Sequence, residues 1–390
     1  MNKLKIGVFL DDFYPNINGV ILVMENLIKC MSKYADITLV VPKTGNEEND
    51  KNYPFKIIRI NSIPLFNTGY NLGMADIRRR KINRMFENLE FDIIHIHTPF
   101  VLGRLGIKIA RKKNIPVIIT MHTRWEFELK KYLKSKLLAK IGIKHLIKTY
   151  NKCDCAICLN NALVNVYKEY GYKGDLTIIN NGTDMKIISN KKESINKINK
   201  LYNIKSNEYV FLFVGRIISI KNIYFILDVL KKLKEKRVQF KMIYIGDGPD
   251  FNELKRKIKD YGLENEVIMT GKITDRAKLK EFYYRATLFL FPSLYDASSL
   301  VQIEAASQQT PTIFIENSVT SDTVLNNVNG FTAKNDPKLY ADRIIEILNN
   351  NKLYNKVKNR AKKDLAKPWE DIAKETYKFY LKTIKLKKEK

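Results

Sequence analysis

Two acids eight positions apart, Asp296 and Glu304, flank the small and apolar run Ala297-Ser-Ser-Leu-Val-Gln-Ile303. Ahead of them, Thr287-Leu-Phe-Leu-Phe291 has the length and composition of a buried strand, and Pro292-Ser-Leu-Tyr295 ends it. This layout predicts one carboxylate on a loop at a strand end and the other in the first turns of the next helix. The N–H groups that open such a helix, around Ser298, Ser299 and Leu300, have no intrahelical partner and suit a phosphate or sugar oxygen. Upstream, Gly215-Arg216-Ile-Ile-Ser-Ile-Lys221 follows a second strand-like run, Tyr209-Val-Phe-Leu-Phe-Val214. A planar guanidinium bridges two phosphate oxygens, while an ammonium acts as a point charge. Two fixed cations, a helix N-terminus and two carboxylates suit a diphosphate carried on a polyol, and a nucleotide-sugar has both features. Arg216 and Lys221 would then neutralise a leaving diphosphate, which is electrostatic stabilisation of the transition state.

Further candidates lie in the first half. The loop Asp11-Asp-Phe-Tyr-Pro-Asn-Ile-Asn-Gly-Val20 follows the first apolar run, and Gly19 lets a ligand approach the backbone. G-x-G-x-x-G is absent there, which argues against a nicotinamide enzyme. His122, in Thr120-Met-His-Thr-Arg124, follows another strand-like run and could hydrogen-bond a sugar hydroxyl. His95 and His97 alternate along a strand, so their side chains share a face.

The acid-x7-acid run resembles that of the retaining glycosyltransferases of family 4, a large group with the GT-B fold. Gly215-Arg216-x4-Lys221 resembles that family's G-R-x-x-x-x-K signature, and the likeness covers nearly the whole chain. It implies an α/β protein of two Rossmann-like domains facing across a cleft, with a nucleotide-sugar as donor. In the residues that match, it implies that Glu304 accepts the ribose hydroxyls, Asp296 holds the sugar hydroxyls, and His122 contacts the donor sugar. Gly19 would meet the donor phosphate and the acceptor, and Gly246-Asp-Gly-Pro249 would lie near the base. Asn18-Gly19-Val20 and His97-Thr-Pro-Phe100 resemble lipid-directed members, which makes Asn18 and His97 acceptor-side residues and leaves His95 a structural role. Asp296 stands where the family usually has Glu, and Asp-Ala-Ser-Ser-Leu replaces its E-G-F-G-L, so the sugar should sit closer or a water should intervene. The resemblance further implies front-face attack, with the leaving phosphate helping to take the acceptor proton. No carboxylate pair flanking a glycosidic bond is needed. No metal or other cofactor is expected.

The elements that must position these residues follow from periodicity. Strands are expected at 5–10, 36–41, 56–60, 91–97 and 116–120, with a helix at 20–33, and then at 210–214, 241–245, 267–269, 287–291 and 311–315. Short apolar strands separated by amphipathic helices mean parallel sheets, whose ligands bind beyond the strands' carboxyl ends. With 390 residues, more than one domain is expected. The boundaries are placed at 1–185, 186–367 and 368–390. The last is a helix, about 372–384, crossing back to the N-terminal domain, with a frayed tail from 385.

Net charge is +28, which implies attraction to a polyanion such as an anionic lipid surface; no nucleic-acid-binding signature is found. The segment Leu129–Lys152 carries eight lysines and no acid, with Leu129, Leu133, Leu137 and Ile141 every fourth residue and Tyr132 and Leu138 alongside. It is expected to be one basic amphipathic helix that either lies on an anionic membrane or packs its apolar stripe on its own domain. Of four cysteines, Cys153, Cys155 and Cys158 cluster in a strand-like run and read as buried thiols, with a zinc site as the alternative. Apolar runs are too short to span a bilayer and the N-terminus lacks a signal-peptide core, so a cytoplasmic protein, peripheral at the inner membrane face, is expected. The leading reading is transfer of a hexose, UDP-glucose-like, to a membrane-held acceptor such as diacylglycerol. Open alternatives are assembly of capsule, lipopolysaccharide or another surface glycan, a GT-B epimerase, and a non-catalytic polyanion- or membrane-binding protein.

Overall fold

A computed structural model of the protein describes residues 3–16, 18–45, 47–64, 71–74 and 79–389; Ile17 of the first loop and Lys390 lie outside the described residues, as do the side chains of Lys131 and Tyr132. The chain divides into two compact units, Met1–Asn181 with Pro368–Lys390, and Gly182–Lys367. Thr183 N–H donates to Lys367 O (2.9 Å), so the two ends of the second unit are stitched together at its entry and exit.

The first unit is built on β1 (Leu4–Phe9), α1 (Gly19–Met31), β2 (Ala35–Pro42), β3 (Lys56–Ile60), a short β4–β5 ribbon (Ser62–Pro64, Asn71–Gly73), α2 (Arg79–Glu87), β6 (Ile93–Ile96), α3 (Val101–Lys112), β7 (Val117–Thr120), α4 (Trp125–Leu133), α5 (Lys136–Tyr150), β8 (Cys155–Cys158), α6 (Asn161–Glu169) and β9 (Asp175–Ile178). Its seven parallel strands run in the order β3-β2-β1-β6-β7-β8-β9. The strand order reverses between β1 and β6, where Phe9 pairs with Ile96. Isoleucine and valine make the strands nearly continuous apolar runs, as a sheet covered on both faces requires.

The second unit contains α7 (Lys191–Leu201), β10 (Tyr209–Val214), α8 (Ile223–Glu235), β11 (Phe240–Ile245), α9 (Phe251–Asp260), β12 (Val267–Met269), α10 (Arg276–Arg285), β13 (Leu288–Phe291), α11 (Leu300–Ser307), β14 (Thr312–Ile315), β15 (Phe331–Ala333), α12 (Pro337–Asn349) and α13 (Asn351–Leu365). Its six parallel strands run β12-β11-β10-β13-β14-β15, reversing between β10 and β13. Both units are Rossmann-like, and the division falls at Asn181/Gly182 instead of after residue 185.

Two expectations need correction. The segment 129–152 is two helices: Lys134 turns left-handed (φ 50°) and Ser135 caps α5 by accepting from Leu138 N. The C-terminal tail is ordered helix: α14 runs Trp369–Lys388 and packs on the first unit. Tyr380 Oη meets His95 Nδ1 (2.7 Å), Thr383 Oγ1 meets Cys155 Sγ (3.6 Å), and Lys387 Nζ donates to Asp154 Oδ1 (2.8 Å), which fixes the helix well past residue 384. The apolar side chains of the two helices divide between core and surface. α5 buries Ala139, Ile143, Leu146, Ile147 and Tyr150, while Leu133, Leu137, Leu138 and Ile141 are 39–69% exposed. Cys153, Cys155 and Cys158 are buried thiols, raised by desolvation above the usual range. Among the described residues, no helix is long and apolar enough to cross a membrane.

Candidate active site

In the second unit the functional side chains leave the carboxyl ends of β10 and β13, the strands at the reversal. β10 delivers Gly215, in extended positive-φ backbone (156°), and then Arg216. The loop after β11 supports it from below: Gly215 N donates to Ile245 O, and Ile217 N donates to Asp247 O (2.9 Å). A Cβ on Gly246 would stand 1.8 Å from Gly215 O, so only glycine allows that backbone approach. Gly246-Asp-Gly-Pro249 thus acts first as the bed of the Arg216 loop.

Lys221 ends a short 3-10 turn, Ser219–Lys221. Its Nζ donates to Asp296 Oδ1 (2.9 Å) and Oδ2 (3.2 Å), and lies 5.5 Å above the Phe291 ring. Ser293 Oγ donates to Asp296 Oδ2 (2.6 Å). The structure therefore brings Lys221 and Asp296 together as an ion pair that is largely shielded from solvent. Arg216 is exposed and makes no ion pair among the described residues, so it is the uncompensated cation. Ser299 precedes α11 without capping it through its side chain, and the helix has no acid in its first turn, so N–H groups from Leu300 onward keep their donor capacity.

Glu304, on the second turn of α11, is buried. Tyr283 Oη donates to its Oε2 (2.9 Å) and Arg276 Nη2 to its Oε1 (3.0 Å). Burial pushes its carboxyl up from the usual range, and the Arg276 charge opposes this. Arg276, Tyr283 and Ser293 were not singled out from sequence. Arg276 and Tyr283 are 28 and 21 residues from the Glu304 they hold, linked to each other only by an i, i+7 relation on one helix face, whereas Ser293 lies three residues from Asp296 in the same turn.

In the first unit the loops after β1, β6 and β7, neighbours in the sheet, carry the other candidates. Asp11 lies at the N-terminus of α3 and accepts from Leu102 N (2.6 Å), Gly103 N (3.2 Å) and Thr98 Oγ1 (2.6 Å). It caps that helix from a distant strand and fixes the loop His97–Phe100; burial pushes its carboxyl up. Asp12 accepts from Asn16 Nδ2 (2.8 Å) and Asn18 Nδ2 (2.7 Å). Asn18 Oδ1 accepts from Val20 N and Ile21 N as the N-cap of α1. The Asn18 side chain thus helps to fold the glycine loop through both its oxygen and its amide. An acid immediately after the first strand was the available signal for Asp11 and Asp12.

His97 Nδ1 lies 3.0 Å from His122 Nε2, and the His95 and His97 rings are 4.1 Å apart. His97 is buried and its Nε2 has no hydrogen-bond partner among the described residues, whereas His122 is half-buried. His95 Nε2 meets Thr120 Oγ1 (2.7 Å) and its other nitrogen meets Tyr380, consistent with a structural role. Desolvation pushes His95 and His122 down to about 3 and His97 well below its ordinary value, so the row is neutral near pH 7.

Set beside known proteins, this geometry has clear counterparts. The family described as Glycosyl transferases group 1 matches residues 194–364, and Glycosyltransferase Family 4 matches 17–186. The protein is thus a glycosyltransferase with the GT-B fold. It belongs to family 4 of these enzymes, in group 1. It is 27% identical over 314 residues to the alpha-monoglucosyldiacylglycerol synthase of Streptococcus pneumoniae, covering 80% of this chain and 70% of that one. It is 26% identical over 324 residues to the enzyme of the same name from Acholeplasma laidlawii, covering 80% of each. The crystal structure of Anabaena Alr3699/HepE in complex with UDP superposes with a TM-score of 0.78 at 16% identity, over 97% of this chain and 99% of that one.

Two outcomes follow. A methyl at Gly19 meets no atom within 4 Å, whereas one at Gly246 collides with Gly215 O. Gly19→Ala should keep the wild-type thermal midpoint, and Gly246→Ala should lose about tenfold or more in turnover together with several degrees of midpoint. Lost turnover in fully stable Gly19→Ala would report substrate passing over that position; full turnover would remove Gly19 from the donor loop. The second concerns pH. The folded imidazoles bind protons only well below the ordinary histidine value of 6.5, so below that pH the unfolded chain takes up more protons than the fold. Stability should fall from about pH 6.5 downward, by on the order of 1 kcal/mol per imidazole per pH unit. The raised carboxyls of Asp11 and Glu304 act in the opposite sense, so the histidine share is read as the change in slope between wild type and His97→Gln in urea unfolding. Equal slopes would exclude it.

Proposed function

We propose that the enzyme transfers a hexose, with retention, from a UDP-glucose-like donor to the hydroxyl of diacylglycerol at an anionic membrane surface on the cytoplasmic side. The observation that carries this reading is the α4–α5 hairpin. Leu133, Leu137, Leu138 and Ile141 stand exposed among Lys130, Lys134, Lys136, Lys140, Lys144 and Lys148, none of which makes an ion pair among the described residues. An exposed apolar patch rimmed by uncompensated lysines suits a bilayer interface. Each lysine near anionic lipid contributes roughly 1 kcal/mol at most, and each apolar side chain that enters the interface adds about 1.5–3 kcal/mol, enough for reversible docking. The name shared by the relatives from Streptococcus pneumoniae and Acholeplasma laidlawii, alpha-monoglucosyldiacylglycerol synthase, supports the same donor and acceptor classes.

In this reading Arg216, Lys221 and the α11 N-terminus take up the charge of the departing diphosphate without a metal, Glu304 binds the ribose and Asp296 the sugar. His122, neutral, hydrogen-bonds a sugar or acceptor hydroxyl. The test is donor turnover with a panel of UDP- and GDP-sugars, EDTA, and diacylglycerol in neutral or anionic liposomes, alongside flotation of the protein. One donor should be consumed, with glucosyl diacylglycerol formed. Arg216→Ala and Glu304→Ala should lose about 100-fold or more, and Leu137→Gln/Ile141→Gln should cease to float with anionic liposomes. Turnover only onto a soluble or polyprenyl-linked glycan would assign the enzyme to surface-glycan assembly. Absence of both turnover and donor binding would leave a non-catalytic polyanion-binding protein.

A further inference from the structure

Arg276 opens α10, one residue after the cap Asp275. Its guanidinium spans two acids from different parts of the second unit. Nε donates to Asp184 Oδ2 (3.0 Å) and Nη2 pairs with both Asp184 Oδ1 and Glu304 Oε1, the latter at 3.0 Å. Two turns along the same helix, Tyr283 is fully buried and gives its only hydroxyl proton to Glu304 Oε2 (2.9 Å). Glu304 is thus gripped from one side by a single helix face, once on each oxygen, and Asp184 holds the guanidinium from the solvent side.

We propose that Arg276 is the positioning residue of the donor's ribose subsite, fixing the Glu304 carboxylate so that its remaining lone pairs accept the two hydroxyls of a vicinal diol. This rests on the reading of Glu304 as the ribose-binding acid of a nucleotide-sugar site. An ionised carboxylate offers about four acceptor directions. Arg276 and Tyr283 use one on each oxygen, which leaves one on each for two neighbouring hydroxyls. Protonation would convert one of those acceptors into a donor and break the match. The groups that bear on Glu304 are Arg276 and Tyr283 from α10 and Asp184 from the segment ahead of α7; burial and Asp184 favour the protonated acid, and Arg276 favours the carboxylate. A lysine at 276 would keep the charge but could not span both acids with a planar fork.

The test is calorimetric binding of UDP, GDP and their 2′-deoxy forms to the full-length protein, for wild type, Arg276→Ala and Arg276→Lys, from about pH 8 to pH 6. Wild type should favour the ribonucleotide by about tenfold or more and change little with pH. Arg276→Ala should lose most of that preference, and its affinity for the ribonucleotide should fall as the pH drops, because the buried Glu304 takes up a proton sooner. Arg276→Lys should retain the pH-independence and recover part of the preference. A folded Arg276→Ala, with unchanged circular dichroism, that keeps both the 2′-hydroxyl preference and the flat pH response would overturn the assignment. If Arg276→Ala does not fold, Arg276→Lys with wild-type preference would do so. Failure of wild type to bind either nucleotide would instead overturn the nucleotide-sugar reading, and the inference with it.

Discussion

A parallel, doubly wound sheet brings two strand ends with divergent loops side by side only where the strand order reverses, and the candidate chemistry of each unit depends on that adjacency. In the second unit β10 and β13 are the neighbours, so Lys221 meets Asp296 across 75 positions of sequence. In the first, β1 and β6 are the neighbours, and Asp11 reaches Thr98 and the start of α3 across 87 or more. The apolar runs that build the strands are therefore also what bring the polar residues together. A change of register at β10 or β13 would separate the pair without touching either residue.

The buried charges are arranged for position more than for stability. Asp11, Glu304 and the Lys221–Asp296 pair all lose hydration, and each recovers it through two or more directed hydrogen bonds. Such pairs often add little net stability, while losing one partner is costly. What the arrangement does provide is fixed position. Lys221 is held by Asp296 and Phe291, Glu304 by α10, and the Arg216 loop by the glycine bed at Gly246. Arg216 is exposed and makes no ion pair among the described residues, which concentrates the uncompensated positive charge of the β10 loop at one guanidinium. A side chain already fixed loses less entropy when its ligand arrives, and an unpaired one retains the full charge.

The sheets were legible in the sequence because their strands are short, apolar and punctuated by Pro or Gly, and Lys56–Ile60 and Val267–Met269 fall where periodicity placed them. The edges were less so. β9, Asp175–Ile178, is partly polar, β15 has three residues, and the β4–β5 ribbon joins segments as short. The break at Lys134 escaped because lysine gives no sign of a left-handed turn, although Ser135, three residues before the Leu138 N–H it caps, was a readable start signal. At the site, the motif residues could be read because their spacing lies within one loop and helix. Arg276, Tyr283 and Asp184 could not, since their relation to Glu304 exists only after three segments have packed. His97 illustrates the same limit: alternation placed its ring beside that of His95, but not its nitrogen 3.0 Å from His122.

The two units also differ in the kind of polarity they hold. The first keeps a row of imidazoles so desolvated that they stay neutral, stabilised by one another, Thr120 and Tyr380. The second keeps full charges. The two kinds of group suit different tasks: a fixed cation answers negative charge, whereas an uncharged imidazole orients a polar partner. A neutral imidazole can both accept and donate a hydrogen bond. Burial of the histidine row, enforced by α14 through Tyr380 and by the packing around His97, therefore has an electrostatic as well as a structural consequence: it keeps these imidazoles neutral near pH 7.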